Sequence, residues 1–146
     1  MAMRFEQSIV INASADKVFA YVSDLERLPE WGAFKNAVRK TSDGPVGVGT
    51  TYETDGSQFG RHTDKVTVTE YVPGKKFTLE VHGDAGHVMN WFELADESGG
   101  TKLTKGQDFI KAALSTTIFS PVVRMVAPKG LMKDLQNIKG KIEASA

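Results

Sequence analysis

The chain has 146 residues, no cysteine, and 18 basic against 18 acidic side chains, for a formal net charge of zero. That length fits one domain, residues 1–146, with enough chain to bury a core and leave some internal space. The missing thiols exclude a disulfide scaffold, thiol catalysis and thiolate metal sites, and a balanced chain without a basic run argues against nucleic acid as a partner.

At the start, Met1 to Val10 has no apolar core flanked by positive charge, so no secretory signal is expected and a cytoplasmic location is. No run approaches the ~18 apolar residues of an integral membrane segment. Phe5 to Asn12 reads as a strand with Phe5, Gln7, Ile9 and Ile11 on one face. Ser14 then stands as an N-cap with Asp16 in the first turn, and Val18, Phe19, Val22 and Leu25 follow at helical spacing. Pro29 is expected to end this pair of short helices, with Trp31 and Phe34 directly after it.

From about Val38 to Ile110 the pattern is strand-like between turn signals: Asp43-Gly44-Pro45, Gly47-Val48-Gly49, Gly56 to Gly60, Pro73-Gly74, Gly83 to Gly86 and Ser98-Gly99-Gly100. Alternation in Val66 to Thr69 and Phe77 to Val81 marks an antiparallel sheet with one wet and one covered face. Gly44 to Thr50 leads into a strand and lacks the Gly-Lys-Ser/Thr of a phosphate loop, so it reads as a turn needing positive φ.

The last third is helical. Leu131, Leu135, Ile138 and Ile142 form one apolar stripe, and Lys133, Asp134, Gln136, Lys139, Lys141 and Glu143 fill the other faces. Ile118 to Ala127 is apolar nearly all round, and Pro128 is expected to break or kink the helix. The expected fold class is therefore α+β: a curved antiparallel sheet of about seven strands wrapped around a long C-terminal helix, with two short helices after strand 1. One helix about 10 Å across cannot fill a strongly bent sheet, and the remainder must be side chains or a pocket.

Strand parity selects the lining of such a pocket: Tyr52, Val68, Phe77, Leu79, Val81, Asn90, Phe92 and Phe109. Tyr52 and Asn90 would be polar groups in an apolar wall, the make-up of a small-molecule site. Trp31 and Phe34 read as core packing where the short helices meet the sheet and, compatibly, as an aromatic wall at the pocket entrance, and Ile118, Val122 and Met125 are placed in its roof, with dimer contact as the competing role of that stretch. Parity after Leu103 also turns Lys105 and Gln107 inward, unless Gly106 marks a bulge that turns Asp108 inward instead of Gln107. If Phe92 and Leu94 face in, Trp91 faces out.

Several segments resemble one known family. These are Ile9-Val-Ile-Asn-Ala-Ser-Ala-Asp-Lys-Val-Phe19, Asp24-Leu-Glu-Arg-Leu-Pro-Glu-Trp31, Gly44-Pro-Val-Gly-Val-Gly-Thr50, Val68-Thr-Glu-Tyr-Val-Pro-Gly74, and Trp91-Phe-Glu-Leu94 followed by Gly100-Thr-Lys-Leu103. Together they are similar to the bacterial polyketide-cyclase/dehydrase and lipid-transport group of the SRPBCC superfamily, which includes START domains and the birch-pollen allergen. The resemblance spans nearly the whole chain and is weakest from Ser115 to Gly130. It implies a helix-grip fold with the Gly44 to Thr50 loop at the rim of the pocket mouth. It implies no single activity, because its members include carriers of apolar ligands and aromatic-polyketide cyclases.

No nucleophile–base–acid set and no Gly-x-Ser-x-Gly elbow is present. His62, His82 and His87 match no metal-binding spacing. A Gly83 to Gly86 hairpin would set His82 opposite His87, but a third ligand is not evident, so the pair reads as solvated and neither metal nor cofactor is expected. The leading expectation is a monomer or homodimer that binds a hydrophobic small molecule, lipid-, isoprenoid- or polyketide-like. The alternatives are a polyketide cyclase or dehydrase using Tyr52, Asn90 and Asp108, and a regulatory or stress-related interaction module using Trp91 and the apolar roof.

Overall fold

The computed structural model describes residues 3–32, 35–56, 62–83, 86–112 and 120–145. Seven strands are ordered β1-β7-β6-β5-β4-β3-β2, all neighbours antiparallel. They are β1 (Met3–Ile11), β2 (Lys35–Lys40), β3 (Thr51–Gly56), β4 (His62–Val72), β5 (Lys76–Gly83), β6 (Gly86–Glu97) and β7 (Gly100–Ala112). Helix α1 (Ala15–Val22), a 3-10 turn (Leu25–Arg27) and helix α2 (Leu28–Trp31) fill the crossover from β1 to β2, the two edge strands, and helix α3 (Ser120–Ala144) closes the fold.

Local chemistry accounts for these elements. Ser14 caps α1 through its side chain, which accepts from the Lys17 backbone N–H. Pro29 does not end the helical region as expected. It sits in the first turn of α2, where a missing N–H is harmless. Gly44 and Gly49 carry the positive φ that the loop before β3 requires, at 87° and 92°.

Cross-strand register sorts every strand into an inner and an outer face. The row Gln7–Lys105–Phe92–Phe77 runs through β1, β7, β6 and β5, and the next row is Phe5–Gln107–Asn90–Leu79–Val68. Gly106 marks no bulge: β1 and β7 stay in register from Met3 to Ile11. The irregularity in β6 and β7 falls at His87/Val88. Parity therefore holds from Leu103 to Phe109, and Gln107 faces inward while Asp108 faces outward beside Arg4, 3.7 Å away.

Helix α3 lies along β1 on the inner face. Leu135, Ile138 and Ile142 join a core built from Ile11, α1, Trp31, Tyr52, Val68, Phe77, Leu79, Phe92 and Leu103. The stripe read from the sequence is the buried face of the helix. Pro128 lies inside α3, which runs on through it, so of the expected break or kink the break does not occur. It withholds one N–H from the Arg124 carbonyl, and the burial of Leu131 to Ile142 outweighs that single bond. At its C-terminal end the Glu143 carboxylate accepts from the Asn12 backbone N–H at 2.8 Å, and the Lys139 ammonium donates to the Val10 carbonyl at 2.8 Å. Among the described residues, no helix is long and apolar enough to cross a membrane.

Candidate functional site

The inner face carries two apolar clusters. The larger one sits under α1, α2 and the C-terminal half of α3. The smaller consists of Met3, Val88 and Phe109, with Phe5, Val81 and Val123 packed on it. Between them the register places a polar belt: Gln7 on β1, Lys105 and Gln107 on β7, and Asn90 on β6. Gln7, Asn90 and Gln107 are only partly buried although they face inward.

Lys105 is the unusual member. Its side chain is 9% exposed and it pairs with Asp134 of α3, itself 16% exposed, with Nζ and Oδ2 3.7 Å apart. An ammonium taken out of water is costly unless paired, and Asp134 supplies the opposite charge. Two aromatic faces add to this, since Lys105 Nζ stands 5.7 Å from the Phe92 ring and 5.9 Å from the Trp31 ring. Trp31 meets Phe92 edge-on at 5.7 Å, and its carbonyl accepts from the Asn137 amide at 3.1 Å, which ties α2 to α3. The Trp31 indole N–H is buried with no hydrogen-bond partner among the described residues. An unsatisfied donor of this kind needs a reason, because leaving one buried costs about 1–3 kcal/mol.

Tyr52, deep in the larger cluster, has its hydroxyl pKa pushed up to about 12, first by burial and then by the negative charges of Glu26 and Asp24. It therefore stays a protonated donor throughout the neutral range.

The structure brings together most of the residues expected to line a pocket. Trp31, Tyr52, Val68, Phe77, Leu79 and Phe92 are buried in the larger cluster, which Val81 also touches. Phe109 belongs to the smaller cluster, and Asn90 lies between the two. Phe34 and Ile118 lie outside the described residues. Val122 and Met125 are 49% and 61% exposed, because the inward stripe of α3 continues from Leu131 back by fours to Ala127 and Val123, which leaves both on the other side. Asp134, expected on an outer face of the helix, instead faces Lys105. Sequence reading placed Val123 in the apolar roof stretch without singling it out, and missed Asp134 as an interior group. Counting back by fours along the stripe separates Val123 from Val122 and Met125, whereas Asp134 needed the position of Lys105 on the facing strand.

Beside α3 a surface groove of about 560 Å³ is lined by Gln7, Pro128, Met132 and Gln136 among others. It shares only Gln7 with the belt.

A family described as polyketide cyclase / dehydrase and lipid transport matches residues 2–144. No curated protein matches the sequence. Three solved structures similar to this chain span its whole length. The Zhui aromatase/cyclase from Streptomyces sp. R1128 is 15% identical, with 98% of this chain and 94% of that one covered and a TM-score of 0.80. A START superfamily protein from Mycobacterium smegmatis is 18% identical, covering 98% and 99%, also at 0.80. A protein from Thermus thermophilus, TTHA0849, is 13% identical, covering 99% of both chains at 0.77. At such identities the likeness is one of fold: a helix-grip sheet closed by a long C-terminal helix.

Proposed function

Because this chain belongs to the polyketide cyclase / dehydrase and lipid transport family, we propose that it binds a hydrophobic small molecule between the inner sheet face and α3. The observation that carries this reading is the polar belt between two apolar clusters, with a lysine held inside it. A ligand that fits has an apolar body and a hydroxyl or carbonyl group part way along it, as lipid-, isoprenoid- and polyketide-like molecules do. The amides of Gln7, Asn90 and Gln107 supply donors and acceptors, Lys105 supplies a cation, and the Trp31 N–H supplies a donor that meets no acceptor among the described residues. Native mass spectrometry of freshly purified protein, followed by displacement of an apolar fluorescent probe, tests this. A one-to-one adduct is expected, with affinity reduced about tenfold or more in Lys105→Met. Protein that carries no adduct and takes up no probe overturns it.

A second reading, cyclisation of a flexible poly-β-keto chain, is favoured by the same lysine. A cation on the inner face can hold an enolate oxygen while the walls fold the chain. Asp108 faces outward and drops out of that reading, which leaves Tyr52 and Asn90, with Lys105 added to them. Turnover of a small poly-β-keto thioester that persists unchanged in Lys105→Met and Tyr52→Phe overturns it.

A further inference from the structure

We propose that Glu80, His82 and His87 form a divalent transition-metal site on the outer face of the β5–β6 hairpin, with Zn²⁺ as the first ion to test. The site is independent of the ligand binding proposed for the inner face, because these side chains point to the opposite side of the sheet from Leu79, Val81 and Val88.

Strand geometry builds the cluster. Glu80 and His82 are two residues apart on β5 and so share a face, and His87 on β6 is the direct cross-strand partner of His82. The two imidazoles stack with centroids 4.3 Å apart and planes within 16°. One carboxylate oxygen of Glu80 lies 2.7 Å from His82 Nε2 and 3.2 Å from His87 Nε2. One ligand atom from each of the three residues falls within 4.8 Å of the other two. A tetrahedral ion with bonds of about 2.1 Å spaces its ligands about 3.4 Å apart, close to the two separations from Glu80, and the stacked rings turn out of parallel to aim both Nε2 lone pairs at it.

A second observation points the same way. His87 Nε2 is shielded from solvent and has no hydrogen-bond partner among the described residues, although the Glu80 oxygen stands 3.2 Å away. A ring nitrogen screened from water beside a carboxylate and a second imidazole is a metal-ligand environment. Neutral imidazole and carboxylate suit Zn²⁺, Ni²⁺ and Cu²⁺ rather than Mg²⁺ or Ca²⁺. Three protein ligands leave a coordination position open to water. Lys65 opposite His82 and Lys111 opposite His87 are exposed, and their long stems let both ammonium groups swing clear.

The test is titration calorimetry of the chelator-treated full chain with Zn²⁺ at pH 7.5, paralleled by the visible spectrum of added Co²⁺. One ion per chain is expected, at a micromolar Kd. His82→Ala and His87→Ala should each weaken binding about 30-fold or more and Glu80→Gln about tenfold, while His62→Ala should leave it unchanged. All three positions are on the outer face with exposed or partly exposed side chains, and far-UV circular dichroism confirms that the variants are folded. Wild-type binding weaker than about 1 mM, a Co²⁺ spectrum no different from the free aquo ion, or affinity retained in the folded double variant His82→Ala/His87→Ala overturns the site.

Discussion

Trp91 lies flat against Gly106, its cross-strand partner on the outer face of the sheet, with no space between them for even one methyl group. A Cβ built on Gly106 stands 2.0 Å from two carbons of the indole. The Arg4 guanidinium covers the other side of the ring at 4.3 Å, so an outward-facing tryptophan ends only 6% exposed. Gly106→Ala should therefore destabilise the fold by about 1–3 kcal/mol in urea unfolding, because backbone on one side and a guanidinium on the other confine the ring. Combined with Trp91→Ala, the second loss should be much smaller than the sum of the two. Wild-type stability in Gly106→Ala would show that the contact is looser than described.

The Lys105–Asp134 pair joins β7 to α3 in the interior. Asp134→Asn removes the opposite charge of this pair and should cost about 2 kcal/mol, measured by chemical denaturation. The double variant Lys105→Met/Asp134→Leu should return close to wild-type stability, since apolar replacements of a buried pair are often neutral or better. That double variant should also lose the ligand affinity proposed above, which separates a binding role from a structural one.

Helix α3 offers an internal control on which face is buried. Leu135→Ala or Ile138→Ala, both in the core, should cost about 2–5 kcal/mol. Met125→Ala, at an exposed position, should change stability by no more than about 0.5 kcal/mol. Thermal melts of the three variants side by side check the contrast.

Acid should loosen the junction between α3 and β1. The Asn12 backbone N–H and then the Lys139 ammonium, 2.6 Å away, hold the Glu143 carboxyl below its ordinary range. A carboxyl whose folded-state pKa is depressed contributes stability that is complete above its unfolded value, about 4.3, and is lost as pH falls through the lowered one. Glu143→Gln should thus melt below wild type at pH 7, by a small margin because the group is near solvent. The gap should close as pH drops below about 4. A gap that stays constant from pH 7 to pH 3 would remove Glu143 from the acid response.

The elements of the fold were legible because each rests on a local rule. Alternation in Phe77 to Val81 set the β5 faces, Ser14 set the start of α1, and the four-three-four spacing of Leu131 to Ile142 set the buried side of α3. Parity also reached the interior: it turned Lys105 inward from the sequence alone, and it left Gln107 and Asp108 undecided only because a glycine between them and Lys105 has two uses. Gly106 proved to serve close approach to Trp91 and not a bulge, and that depends on a neighbour fifteen positions earlier in the chain.

The sequence by itself determined the period of each segment, and so which side chains share a face, since that follows from backbone geometry within a few residues. Only the tertiary structure decided what each face meets. It set Asp134 against Lys105, left Val122 and Met125 in solvent, and brought Glu80 within ligand distance of both hairpin histidines. The physical reason is that these encounters are fixed by strand register and by the path of α3 across the sheet, where a shift of one residue or one helical step changes the partner without altering the local pattern.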